Sequence, residues 1–220
     1  MMTLYSRAAD ARCHRVRLVL AEKALQTRTV ETDLAQPPED LIDLNPYQTV
    51  PTLVDRDVVV YEPGIVCEYI DERFPHPPLS STDPGARAHT RLALRRIEQE
   101  WYAVSDALEP GSGADRRERD RARKLLAESL LASEPLCRMR AWFLSDQFSQ
   151  LDAAVAPILW RLPRWDVDCA AIEATAPAIG KYASKVFARA SFARSLTTAE
   201  RGMRGGGSAL QPAGPVRRPA

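Results

Sequence analysis

From Ser149 to Pro163 the chain reads SQLDAAVAPILWRLP, and this run restricts the possible folds more than any other. Leu151, Val155, Ile158, Leu159 and Leu162 line one helical stripe, and almost nothing on the other faces is charged. Such a helix is stable in water only when other elements enclose it. Ser149 followed by Asp152 has the form of a capping box, with Asp in place of the usual Glu or Gln. Two further helices are legible nearby. In ARAHTRLALRRIEQEWYAVSDAL, residues 86–108, Leu92, Leu94, Ile97 and Trp101 oppose Arg87, Arg91, Arg95 and Arg96. In ADRRERDRARKLLAESLLASEPL, residues 114–136, the charge run reads as a solvated face. The arginine strip of the first could meet an acidic partner, but Glu98 and Glu100 are placed to neutralise it. Trp101, Trp142, Trp160 and Trp165 read as core or interface anchors.

Upstream the texture differs. MTLYS predicts a strand, RVRLVLAEKAL a helix with Val16, Val19, Leu20 and Ala24 on one face, and RTVETD an exposed strand. PTLVDRDVVVY predicts two strands joined at Asp55-Arg56-Asp57, and PGIVCEYIDERF a helix opened by Pro63 with Ile65, Val66, Tyr69 and Ile70 repeating along it. The order is β-α-β, then β-β-α. After the proline-rich connector HPPLSSTDPGA only helices follow. The organisation expected is an α/β domain at 1–78, a linker at 79–86 and an all-α domain at 87–204. Residues 205–220, rich in glycine and proline, are expected to form a disordered tail.

The chain has 220 residues, 45% of them hydrophobic, enough for two small cores. Lys+Arg 30 against Asp+Glu 29 gives net +1, so no global field draws the protein to nucleic acid or anionic lipid. No phosphate loop or nucleic-acid motif is present, and no direct nucleic-acid contact is expected. The N-terminal MMTLYSRAAD lacks a signal-peptide pattern, and no apolar run approaches the roughly 18 residues of a membrane span. A soluble protein of the cytoplasm is expected, without membrane contact. Cys13, Cys67, Cys137 and Cys169 form no C-x-x-C and have no histidines at ligand spacing beyond the adjacent Cys13-His14. Reduced thiols, no metal and no cofactor are the expectation.

The segments NPYQTVPTLVD and EPGIVCEYIDERFP resemble the N-terminal half of the cytosolic glutathione transferases, and the S-x-x-D box is similar to the folding motif of their helical domain. The longer strings DLIDLNPYQTVPTLVDRD, YIDERFPHPPL and FLSDQFSQLDAAVAPILWRLP resemble the bacterial stringent starvation protein A family, which has that same fold. The resemblance implies a thioredoxin-like domain followed by an all-helical one, and a homodimer. It also implies a regulator that binds the RNA polymerase holoenzyme in starvation or stationary phase, with Pro75, His76 and Pro77 as the partner-binding motif.

The transferase alternative can be tested against the residues that the resemblance aligns. Val50-Pro51 stands where transferases carry a cis-proline that pairs with glutathione. Glu62-Pro63 replaces their Glu-Ser, removing a hydroxyl and a backbone N–H at a helix N-terminus where a carboxylate would bind. Asp10 falls at the position of the catalytic serine or cysteine of several classes, where a carboxylate would repel a thiolate. Val50, Pro51, Glu62 and Pro63 are therefore expected to be a vestigial glutathione site, with no catalytic residue. Tyr5 remains a possible hydroxyl donor, although strand-end packing is its better-supported role. Cys13 and His14, adjacent on a helix and so about 100° apart, do not face each other as nucleophile and base must. A glutathione-dependent transferase or isomerase is the alternative, and redox sensing at Cys13 a third reading.

His76 lies between Pro75 and the pair Pro77-Pro78. Prolines on both sides predict an extended, polyproline-like path with solvated carbonyls and a projecting ring that offers one donor and one acceptor. A plain proline-rich connector is the competing reading of the same residues.

Overall fold

The computed structural model describes residues 1–204, so the segment expected to be disordered, 205–220, lies outside the described residues. The chain opens with β1 (Met2–Ser6), α1 (Ala11–Glu22), β2 (Thr27–Glu31), a short α2 (Glu39–Leu44), β3 (Thr52–Asp55), β4 (Val58–Tyr61) and α3 (Pro63–Arg73). The strands form one mixed sheet in the order β2-β1-β3-β4. β1 and β2 are parallel, with α1 as the crossover between them, and the β3–β4 hairpin is antiparallel to β1. Leu4 sits opposite Thr29 on one side and Leu53 on the other, and Leu4 and Leu53 are both fully buried. Arg56, at φ 60°, makes the hairpin turn expected between Asp55 and Asp57.

Helices alone follow. α4 (Pro84–Ile97) continues through a π-helical turn at Glu98–Tyr102, the short α5 (Ala103–Ser105) and a 3-10 turn at Asp106–Leu108. Then come α6 (Arg116–Ala132), α7 (Glu134–Met139), α8 (Gln150–Arg161), a 3-10 turn at Leu162–Trp165, α9 (Cys169–Thr175), α10 (Pro177–Phe187), α11 (Ala190–Ser195) and α12 (Thr198–Arg201). α8 is the enclosed helix that its composition demands: all 12 of its residues are buried. Its capping box is complete, because Ser149 N–H donates to Asp152 at 2.8 Å while the serine hydroxyl accepts from the first turn. Asp152 also accepts from Phe143 N–H and the Tyr182 hydroxyl, which pins α10 against α8.

Two expectations need correction, and one helix was not anticipated. Leu92 does not belong to the inner face of α4: it is 67% exposed, while Ile97 and Trp101 are buried. Leu92 precedes Ile97 by five residues within regular α-helix, which puts it about 140° around the axis from Ile97, whereas Leu94 lies near the Ile97 face and packs against the core. Ala24 is exposed at φ 52°, beyond the end of α1, and does not join Val16, Val19 and Leu20 in the core. α2, whose burial is confined to Leu41, is too short to be read from periodicity.

α1 joins the two halves. It packs on α3 within the first and on α8 and α11 of the second. Glu22 accepts both arms of Arg189 at 2.7 Å, and Arg12 reaches Asp106 at 2.7 and 3.1 Å and Glu98 at 2.9 Å. Trp101, Trp160 and Trp165 are buried anchors of the helical core, whereas Trp142 is only half-buried under Lys185 and Arg189. No helix of the described residues is long and apolar enough to cross a membrane.

Candidate functional site

Two regions concentrate the residues singled out by sequence. The first is the edge of the sheet where β3 and α3 begin. The Val50–Pro51 peptide is cis, Pro51 is buried, and the turn leading to it is tied down by Asn45. The Asn45 amide donates to Thr49 O at 3.2 Å and to Thr52 Oγ1 at 2.9 Å, and the Thr52 hydroxyl donates back to Thr49 O at 2.7 Å. Glu62 is exposed at φ 71° and precedes α3 without capping it through its side chain. Pro63 occupies the first turn, so the first N–H that α3 can offer a ligand is that of Gly64. Val50, Pro51, Glu62 and Pro63 thus lie at one end of the sheet, where Pro63 has no N–H to offer at the start of α3.

The neighbouring polar groups are engaged elsewhere. Asp10 is the N-cap of α1, its carboxylate accepting Cys13 N–H at 2.7 Å. An Asp just ahead of an apolar helical run is itself an N-cap signal, so this role was available in the sequence. The Tyr5 hydroxyl donates to Asp40 Oδ2 at 2.5 Å, and burial together with that carboxylate pushes the phenol up to about 12. Such a group is a poor partner for a thiolate, because its hydrogen is already committed to a carboxylate.

Cys13 and His14 share no partner. The Cys13 thiol is fully buried, accepts Arg7 N–H at 3.4 Å, and is pushed far above the ordinary thiol range by burial and then by Asp10. His14 is also fully buried, with Nε2 3.0 Å from Ser195 Oγ and Nδ1 3.1 Å from Arg161 Nη1. Arginine can only donate, so Nδ1 accepts and Nε2 carries the hydrogen. Burial, Arg161 and Arg17 hold the ring well below its ordinary pKa, in the neutral form. Neither group has the exposure or ionisation that nucleophile chemistry requires. Among the described residues no three His, Cys, Asp or Glu side chains come together in a way that could hold a metal ion.

The second region is the loop that follows α3. Pro75 stands two residues beyond the last helical residue, Arg73, and Pro75, His76, Pro77 and Pro78 are all exposed, between half-buried Phe74 and buried Leu79. The expected extended rod with solvated carbonyls is not what forms. The chain bends at His76 and Pro77, the peptide between them is cis, and the carbonyls of Phe74 and Pro77 point inward to the buried Lys23 ammonium at 2.7 and 2.5 Å. The rings of the loop therefore face out while part of its backbone is anchored beneath. Sequence reasoning passed over Lys23, which is 54 residues away from Pro77 and carries no local signal of the contact.

Pro78 also forms one wall of a groove of about 740 Å³ between the linker, α4 and residues 144–149, with Leu79, Ser81, His89, Ala93 and Phe148 among its walls. On the adjoining side, the arginine strip of α4 is largely paired. Arg87 binds Glu72 at 2.5 Å, Arg91 binds Glu68, and Arg96 binds Glu100 at 2.7 Å.

Residues 11–73 match the N-terminal domain of glutathione S-transferases and residues 95–190 their C-terminal domain. The stringent starvation protein A homolog of Pasteurella multocida is 46% identical over 196 residues, which cover 89% of this chain and 90% of that protein. The homolog from Coxiella burnetii is 41% identical over 204 residues, 93% of this chain and 95% of that one. Among solved structures, a glutathione S-transferase from Rhodospirillum rubrum superposes with a TM-score of 0.78 at 24% identity, covering 90% of this chain and 92% of that chain. The Trametes versicolor glutathione transferase Omega 3C superposes with a TM-score of 0.77 at 24% identity, over 90% of this chain and 84% of that one. At that identity the structural likeness speaks for the fold alone.

Proposed function

Because this chain belongs to the stringent starvation protein A family, within the glutathione transferase fold, we propose that it acts by protein contact with the RNA polymerase holoenzyme and does not transfer glutathione. The observation that carries this reading is the loop at Pro75, His76 and Pro77, four exposed residues including Pro78 on an anchored base, beside an open groove. An anchored loop loses little conformational entropy when a partner docks on it. The groups that would serve glutathione are in contrast occupied or absent: Asp10 caps a helix, Tyr5 is bonded to Asp40, and Pro63 has no N–H to give.

In this reading the protein is a homodimer that presents the loop to polymerase during starvation or stationary phase and changes promoter use. No direct nucleic-acid contact is needed, because the polymerase carries the DNA. The test is retention of polymerase subunits from stationary-phase extract on immobilised wild-type and His76→Ala protein. Loss of retention in the variant, with an unchanged melting temperature, supports the reading. Equal retention by both overturns it.

A further inference from the structure

Lys23 ends α1 and is 6% exposed. An ammonium has three N–H donors and no acceptor, and here each finds an oxygen. Nζ lies 2.5 Å from Asp71 Oδ1, 2.7 Å from Phe74 O and 2.5 Å from Pro77 O. The same Asp71 oxygen accepts the Leu79 N–H at 2.9 Å. One buried ion pair therefore holds the loop at its entry through Phe74, in its middle through Pro77 and at its exit through Leu79, while the side chains of residues 75–78 stay in solvent. Leu79 O is separately held by Gln150 N–H at 3.0 Å, which fixes the exit to α8 but leaves Pro75 to Pro78 untouched.

We infer that Lys23 is the positioning residue of the partner-binding loop: with Asp71 it turns the Phe74 and Pro77 carbonyls inward and so sets the outward display of His76. This rests on reading the loop as the polymerase contact. Lys23 is too deeply buried to touch a partner itself. Its removal leaves a buried Asp71 carboxylate without its cation and two loop carbonyls without donors, and the cheapest relief is for the loop to swing into water.

The experiment compares wild type, Lys23→Met, Asp71→Asn, His76→Ala and the Lys23→Met/His76→Ala double variant. In Lys23→Met, amide hydrogen exchange at Leu79 accelerates by about tenfold or more, the loss expected for a charge-assisted anchor, while the amides of β1 and β3 keep their protection. Should Lys23→Met fail to fold, Asp71→Asn, which keeps the side-chain oxygen but loses the charge, carries the same measurement. Unchanged exchange at Leu79 in the folded variants overturns the inference. Polymerase retention supplies the second arm. Lys23→Met weakens it in the wild-type background and adds nothing in the His76→Ala background, because both act through one loop. An equal further loss in the double variant means that Lys23 acts elsewhere, and overturns its positioning role. Retention by His76→Ala at the wild-type level strikes the polymerase reading alone, while exchange at Leu79 still decides whether Lys23 holds the loop.

Discussion

The carboxylate of Glu200, on the last helix of the described chain, is sealed against the guanidinium of Arg161 at the end of α8, and both side chains are completely buried. Arg17 of α1 donates to the same carboxylate at 2.6 Å, and Trp160 Nε1 donates to the Glu200 carbonyl at 2.9 Å. Arg161 spends its other donors on Ala9 O, Pro157 O and His14 Nδ1. Three distant parts of the chain thus meet at one charge. Glu200→Gln removes the anion and leaves buried arginines facing a neutral amide, so a loss of about 3–5 kcal/mol in unfolding free energy is expected. Equilibrium urea unfolding measures it, and a change within about 0.5 kcal/mol, the range of a surface substitution, contradicts this role.

His14 makes stability depend on pH. Its folded pKa is depressed well below 6.5 by burial and by Arg161 and Arg17. The unfolded chain therefore binds a proton that the folded chain refuses, and stability present above the unfolded value is lost as pH falls from about 6.5 toward the folded value. The slope approaches about 1.4 kcal/mol per pH unit in that window. Asp152, whose carboxyl is pushed up by burial, works with the opposite sign, and its window begins in the lower carboxylate range. Unfolding curves between pH 7 and 5.5 should show the decline in wild type and a flatter profile in His14→Gln. Identical slopes would remove His14 from the account.

Thiol reactivity separates the redox reading from the others. Cys13 is fully buried and strongly raised, whereas Cys137, half-buried and pushed up to about 12, is the accessible thiol. Alkylation of the native protein at pH 7.4 should modify Cys137 first and reach Cys13 only at the rate of unfolding. Selective modification of Cys13 in the folded protein would revive the sensor alternative.

Glutathione binding should be weaker than about 1 mM in wild type, as judged by calorimetry. Pro63→Ser returns a hydroxyl and an N–H to the start of α3, and hydrogen bonds to a carboxylate of that kind predict affinity at least about tenfold higher. Saturable micromolar binding by the wild-type protein would instead favour the transferase alternative.

Much of the fold was legible because it follows from local patterns. The Ser149–Asp152 box, the apolar run behind it, the two β-rich runs of β3 and β4 joined at Asp55-Arg56-Asp57 and the proline that opens α3 each specify an element without help from the rest of the chain. The departures have equally particular causes. Leu92 is apolar but sits about 140° around α4 from Ile97, so its hydrophobic side chain alone does not make it an inward residue. Asp10 aligns with a catalytic position of the transferases, but three residues of local sequence suffice to make it the cap of α1.

By itself the sequence determined the order of an α/β half followed by an all-α half, the enclosed helix, the loss of an N–H at Pro63 and the exposed proline-flanked histidine, since each depends on residues close together in the chain. Tertiary structure alone decided which way the loop at His76 faces and what closes the junction beneath α1. Lys23 meets Asp71 across 48 residues, and Arg161 meets Glu200 across 39, so neither pairing leaves a local trace. A buried charge must find its counter-charge wherever the fold brings one, and only the assembled core shows which residue that is.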